Sequence, residues 1–362
     1  MKAPPSILVV NPGSTSTKLA ISIGDELQHV HSISHPASKL AEFPGVWQQF
    51  PYRLEVCLNW AKTHLKKCDA VVGAGGLLRP VCGGTYRVDE KMLRDAEANF
   101  QGEHASNLGC VLAYRIADQY GCPSFVVDPV SVDEFEPLAY YSGYPCIKRR
   151  SLSHAISIHA TARRASDELG IPLSDSSFVV CHIGGGISVA AVRGGRIIDV
   201  NDAASDGPFS PERTGGLPLQ PLVDLCYSHK FTREQVKSMV MGRGGLVAYL
   251  GTNSTEEVER MISQGDARAS EVYEAMAYQI AKEVGAMSTV LKGDVNAIVV
   301  TGGVARSEKL VSWIENRVRR IAPVLVYPGD EEMKALALGA LRVIRGEEKA
   351  KVYLADLEIG QD

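Results

Sequence analysis

Three short loops rich in glycine and small polar residues each follow an apolar run. Asn11-Pro12-Gly13-Ser14-Thr15 follows residues 7–10, His182-Ile183-Gly184-Gly185-Gly186 follows residues 178–181, and Thr301-Gly302-Gly303 follows residues 297–300. Glycine lets a backbone approach a ligand closely and adopt conformations other residues avoid, so its amides can be aimed at phosphate oxygens. One such loop is weak evidence, because most Gly-Gly pairs are only turns. Three of them, each after a strand, point to a phosphate-bearing ligand. The familiar fingerprints are missing, however. Gly13-Ser14-Thr15-Ser16-Thr17-Lys18 lacks the second glycine of a Walker A loop and leads into a strand rather than a helix. No G-x-G-x-x-G follows a strand, which disfavours a dinucleotide-binding domain.

The elements that must carry these loops follow from hydrophobic periodicity. Residues 7–10 read as a buried strand, residues 19–23 alternate as a half-buried strand, and a third strand is expected near 30–34. Leu54, Leu58, Ala61 and Leu65 share one helical face, as do Leu108, Val111, Leu112, Arg115 and Ile116, with strands expected at 70–73 and 124–128. The order then restarts. Strands at 178–181, 187–192 and 196–200 surround the Gly184–Gly186 loop, a long helix covers 268–291, and a strand at 297–300 precedes helix 307–321. A strand at 324–327 and a helix at 331–345 close the pattern. Thr232 with Gln235 and Ser254 with Glu257 have capping-box spacing. Strand, polar loop, strand, strand, then alternating helices and strands, twice over, predicts a duplicated α/β fold with a cleft between the halves.

Composition agrees with such a molecule. A chain of 362 residues suggests two domains at about 100–200 residues each. With 45% hydrophobic residues it can bury a sizeable core. A net charge of -4 argues against a broad nucleic-acid surface. No apolar run reaches the roughly 18–20 residues of a spanning helix, and Pro4 and Pro5 interrupt any signal-peptide pattern. The eight cysteines contain no C-x-x-C pair, which suits reduced thiols in a cytoplasmic protein rather than a zinc or redox site.

The segments VVNPGSTSTKLAI, CHIGGGISVAAVRGGRIIDVND, DPVSVDEF, DGPFSPERTGGLP, GRGGLVAYLGTNSTEEVE, VVTGGVARSEKL and VYPGDEEMKALALGALRVIRGEE run in this order over nearly the whole chain. In them the sequence resembles the acetate and butyrate kinase family, within the actin, sugar kinase and Hsp70 superfamily. The NPGSTSTK, GPFSPERTG and YLGTN forms look like its butyrate kinase branch. The resemblance implies two ribonuclease-H-like domains, 1–150 (completed by a C-terminal segment, 340–362) and a nucleotide-binding 151–339. It also implies ATP/ADP and Mg²⁺ as companions, butyrate or a similar acid as substrate, and a homodimer or larger homo-oligomer. By the same resemblance Asn11, with Ser14, Ser16 and Lys18, borders the transferred phosphoryl group. Asp128 matches the aspartate near magnesium, and His154 and Arg213 match the pair that stabilises the transition state. Gly184, Gly185, Gly186, Gly302 and Gly303 match loops that hold ATP, and Glu331, or its neighbour Glu332, matches a magnesium-linked glutamate.

Each of these residues also has an ordinary structural explanation. His154 could be a satisfied helix histidine, Arg213 a surface ion-pair partner, Asp128 a turn former before Pro129, and Glu331 a helix-dipole residue. The motif order favours the functional roles. Where acetate kinases carry an arginine in a GHR-type segment, this chain has Val72-Gly73-Ala74-Gly75-Gly76-Leu77. That leaves Arg79 and His104 as candidates for the substrate carboxylate, by proximity in the chain. Gly75 and Gly76 are expected to leave room for a longer alkyl chain. The alternatives are an acetate, propionate or branched-chain acid kinase and, from another class, a nucleotide switch of the actin or Hsp70 type. The switch is disfavoured because no client-binding segment is expected after the last helix.

Overall fold

The computed structural model describes residues 3–329 and 331–354. The chain divides into two compact units, the first formed by residues up to Asp133 and from Glu331 on, the second by the residues between. Residues 355–362 of the expected C-terminal segment lie outside the described residues.

In the first unit β1 (Ser6–Pro12), β2 (Ser16–Ile23) and β3 (Glu26–Ser34) form an antiparallel meander. Strands β4 (Ala70–Ala74) and β6 (Ser124–Val127) add to it in parallel, and β5 (Thr85–Arg87) runs antiparallel on the far edge, giving the order β3-β2-β1-β4-β6-β5. Ile7, Leu8, Val9 and Val10 are all fully buried. The strand is covered on both faces, which is why it reads as a continuous apolar run rather than an alternation. Each such side chain contributes roughly 1.5–3 kcal/mol through burial. Helices Phe50–His64 and Leu108–Tyr120 supply Cys57, Leu58, Ala61, Leu112 and Ile116 to one core cluster. Helix Glu332–Arg345 closes the unit: Thr85 Oγ1 donates to the Gly339 carbonyl at 3.2 Å, and a Cβ on Gly339 would stand 2.6 Å from Val127.

The second unit repeats the plan. Strands β7 (Ser177–Ile183), β8 (Ile187–Arg193) and β9 (Arg196–Val200) form the meander, and β10 (Ala297–Gly302) and β11 (Val324–Pro328) extend it in parallel, in the order β11-β10-β7-β8-β9. Five strands in one connectivity, twice, make the duplicated ribonuclease-H-like fold. The core lies between this sheet and the long helix Ala267–Val290, whose Tyr273, Met276, Ile280 and Val284 are fully buried.

Some details differ from the sequence reading. The first unit ends at Asp133 rather than 150, because residues 134–150 pack onto β9. Arg149 Nη2 donates to Asp199 at 2.8 Å, Arg150 Nε to Asp202 at 2.7 Å, and the Ile197 amide to Glu134 at 2.8 Å. Thr232 and Gln235 form the full capping box. The second box is half formed: Ser254 accepts from the Glu257 amide, but the Glu257 carboxylate takes the Thr252 hydroxyl instead. Among the described residues no helix is long and apolar enough to cross a membrane.

Candidate active site

The parallel registers end β1, β4 and β6 together, with Val10 beside Gly73 and Gly73 beside Val126. Asn11, Ala74 and Asp128 therefore mark one carboxyl edge of the first sheet, where α/β proteins characteristically place ligands. Asn11 Nδ2 donates to Glu332 Oε2 at 3.0 Å. The structure thus brings Glu332, the alternative to Glu331, onto Asn11. Glu331 is the N-cap residue of the same helix, with no side-chain capping bond. Both carboxylates sit at the positive end of that helix's dipole.

Asp128 is 5% exposed and adopts φ +40°, a region that few non-glycine residues occupy. Its Oδ1 accepts from the Gly84 amide at 2.6 Å, and its own amide donates to the Gly84 carbonyl at 3.1 Å. These two bonds hold a backbone conformation of the kind that costs on the order of 1–3 kcal/mol. In the hairpin between β1 and β2, Asn11 pairs with Lys18 and the Gly13 amide bonds the Ser16 carbonyl at 2.8 Å, with Ser14 and Thr15 exposed at the tip.

In the second unit, Gly184–Gly186 is a three-residue turn closed by Gly184 N–H on the Gly186 carbonyl at 3.0 Å. A Cβ on Gly186 would lie 2.3 Å from Arg213 Nη1, so the glycine is needed because the guanidinium rests on it. Arg213 Nη1 donates to the Ala203 carbonyl at 2.9 Å, whereas its buried Nε finds no partner among the described residues. Burial pulls this guanidinium below its ordinary value, opposed by Glu212 and Asp202. An orphaned N–H on a buried cation is costly unless something else accepts from it.

His154 lies in the same place. Its ring stacks on His182 with centroids 4.1 Å apart and planes 16° apart, and its Nδ1 is 2.8 Å from Ser188 Oγ. His182 Nδ1 is in turn 2.8 Å from Ser157 Oγ. Part of the His154 surface stays accessible, yet the surrounding atoms desolvate the ring. That burial, reinforced by His182 and Arg213, holds it well below the usual imidazole range. Thr301 pairs with His182, so Gly302 and Gly303 stand next to the 184–186 turn. Gly302 has φ +96° and would clash with the Ile183 carbonyl at 2.3 Å if it bore a Cβ, whereas Gly303 faces open space.

The residues expected on the substrate side are closely packed or already partnered. A Cβ on Gly75 would meet Pro129 at 2.3 Å, and one on Gly76 would meet Asn107 at 2.3 Å. Those Cβ volumes are filled, so the two glycines allow close backbone packing there. Arg79 is held by Asp95 at 2.9 Å and lies over the Phe100 ring at 3.9 Å, and His104 caps the turn Ala105–Asn107. Two residues escaped the sequence reading. His182 was legible only as part of its loop, although a histidine two residues before a glycine turn was the available signal. Arg53 heads the Cys57–Ala61 stripe of helix Phe50–His64 and resembled a surface residue, yet it is fully buried.

A sequence profile of the acetokinase family matches residues 137–355. The chain is also 48% identical over 351 residues to a probable butyrate kinase of Listeria innocua, spanning 96% of this chain and 99% of that one. The chain belongs to the acetokinase family. A second relative, probable butyrate kinase 2 of Caldanaerobacter subterraneus, is 49% identical over the same shares. The fold of the acetokinase chain is likewise that of the Porphyromonas gingivalis acetate kinase crystal structure, at TM-score 0.76 and 18% identity over 93% of this chain and 99% of that one.

Proposed function

We propose that this acetokinase-family protein transfers the γ-phosphoryl group of ATP to the carboxylate of butyrate, reversibly, giving ADP and butanoyl phosphate. The observation that carries the reading is the buried, incompletely partnered Arg213 guanidinium beside His154 and a glycine turn, in a chain close to probable butyrate kinases. The acid oxygen attacks Pγ as the bond from Pγ to the ADP oxygen breaks. A carboxylate is ionised near pH 7, so no general base is needed. What remains is positioning, and positive charge around a loose, metaphosphate-like transition state. Arg213 offers its Nε–H and fork to the equatorial oxygens. If the Ser188 hydroxyl donates to His154 Nδ1, the ring proton sits on Nε2, and the neutral imidazole still donates. Gly184, Gly185, Gly186, Gly302 and Gly303 take the nucleotide phosphates, and Asn11, Ser14, Ser16 and Lys18 border the transferred group.

Among the described residues no three His, Cys, Asp or Glu side chains converge to cage a cation. That suits Mg²⁺ arriving with ATP, since magnesium keeps waters and substrate phosphates and needs only one or two protein carboxylates. Asp128, Glu331 and Glu332 are the hard oxygen donors that would hold it, and the ion would neutralise charge on the β- and γ-phosphates. With all eight cysteines free, a reducing cytoplasm fits the protein.

The deciding experiment incubates the protein with MgATP, hydroxylamine and acids from acetate to valerate and measures acyl hydroxamate. The expected maximum is at butyrate or isobutyrate, with the ranking compressed because one methylene is worth about 1–3 kcal/mol. A maximum at acetate would overturn the substrate, and no hydroxamate with any acid would overturn the reaction.

A homo-oligomer is part of the proposal. Helix Leu219–Cys226 has no buried residue and exposes Leu219 and Val223, with Tyr227 exposed just beyond it, an apolar stripe fit for a second copy. Leu219→Glu with Val223→Glu is expected to reduce the native mass in light scattering, and an unchanged mass would remove this helix from the interface.

A further inference from the structure

Arg53 is fully buried, and every bond it makes is to a neutral acceptor. Nε and Nη2 donate to Gln49 Oε1 at 3.0 and 2.8 Å. Nη1 donates to the Gly13 carbonyl at 2.8 Å, and to the Ser16 carbonyl and Thr17 Oγ1 at 3.2 Å each. Nη2 also reaches the Ser14 carbonyl at 3.2 Å. No carboxylate is among its partners. A second buried cation is kept away: burial, reinforced by Arg53, pushes the neighbouring His35 imidazole down to about 4, and His35 bonds Thr17 Oγ1 at 2.8 Å and Tyr52 at 3.1 Å as a neutral ring. A buried charge normally carries a counter-charge, because leaving it alone costs several kcal/mol.

The arrangement also orients the loop. The carbonyls of Gly13, Ser14 and Ser16 turn inward to Arg53, and that of Thr15 is taken by the His35 amide at 2.8 Å. Among the described residues no peptide bond is cis. In a trans peptide the N–H points opposite to the C=O. The amides of Ser14, Thr15 and Ser16 are thereby directed away from the protein at the exposed tip, which is the construction of an anion-binding loop.

We propose that Arg53 is a positioning residue for phosphoryl transfer, a buried cation that turns the Ser14 and Thr15 amides outward and whose missing counter-charge is the phosphoryl group bound over them. The inference rests on the proposed reaction and assigns part of its charge stabilisation to a residue that never touches substrate.

Gln49→Glu tests it with almost no change of shape. The new carboxylate neutralises Arg53 where it stands. If Arg53 is only structural cement, the variant keeps full activity. If its charge serves the phosphoryl group, the melting temperature holds or rises while function falls. The expected result is a kcat lower by about 10- to 100-fold, below the 10²–10³ of a donor in direct contact. KM for butyrate should stay within about twofold, and the thermal shift given by MgATP should be at least roughly halved. Native kcat together with a native MgATP shift in Gln49→Glu would overturn the proposal. Should that variant not fold, Arg53→Lys carries the test: it keeps charge but not the fork, so the MgATP shift should persist while kcat falls, and loss of neither refutes the role. If the unsubstituted protein forms no acyl hydroxamate, the proposed reaction fails, and the MgATP shifts alone still decide whether Arg53 serves an anion.

Discussion

Arg213→Ala is expected to lower acyl hydroxamate formation from ATP and butyrate by about 10³- to 10⁵-fold, the range for removing an arginine that stabilises a phosphoryl transition state. The reason is local. The guanidinium is held by the Ala203 carbonyl and by its seat on Gly186, while Nε is buried with no acceptor. In the proposed reaction a phosphoryl oxygen would offset the cost of that orphan. The loss should fall on kcat more than on KM, because the equatorial oxygens reach the planar arrangement that the fork fits only as transfer proceeds. Arg213→Lys should recover little, since an ammonium cannot reproduce the planar fork. A loss below about tenfold, or one confined to KM, would remove Arg213 from the chemistry.

His154→Ala is expected to cost about 10²–10³ in kcat, the usual effect of deleting one preorganised donor. The pH dependence separates a neutral donor from a cationic one. Burial, with His182 stacked on the ring and Arg213 nearby, holds His154 well below 6.5, so it stays neutral through the range in which a free histidine titrates. Activity in the native protein should therefore show no break near pH 6.5. Stability follows the same sign. The native pKa lies below the unfolded one, so the unfolded state binds more protons between the two values. This contribution is complete above about pH 6.5 and is lost as pH falls towards the native value. A kcat break near 6.5 that vanishes in His154→Gln would show that the ring works as a cation.

The inner strands were legible in the sequence because β1, β4, β6, β7, β8 and β10 are buried on two faces. Residues such as Ile7–Val10 and 178–181 cannot alternate there, and their apolar runs end where a glycine loop begins. The short strand Thr85–Arg87 was not legible. Three residues pair with β6 only through tertiary contact, and they carry no period of their own. Asn11, Asp128, His154 and Arg213 stood out through motif order, but their partners did not. Glu332 reaches Asn11 from the far end of the sequence, and Ser188 reaches His154 from the next hairpin. The packing at Gly75 and Gly76 was not legible for a physical reason: a missing side chain implies space at its own Cβ only if nothing else fills it, and Pro129 and Asn107 do. Arg53 shows the converse, a charged residue whose burial no local pattern announces.

The closure of the first unit by helix Glu332–Arg345 has a consequence for biogenesis. The strands that bear Asn11 and Asp128 leave the ribosome early, but the helix that seats Gly339 on Val127 and brings Glu332 to Asn11 is made only after the entire second unit. The second unit is contiguous and can fold as soon as it emerges. The first must wait, with part of its sheet uncovered, until synthesis has passed residue 345. The units are therefore completed in the order opposite to that in which their first strands are made, and the edge of the first unit that bears Asn11 and Asp128 is assembled last. A nascent protein of this design cannot bring Glu332 to Asn11 before the whole second unit has been made.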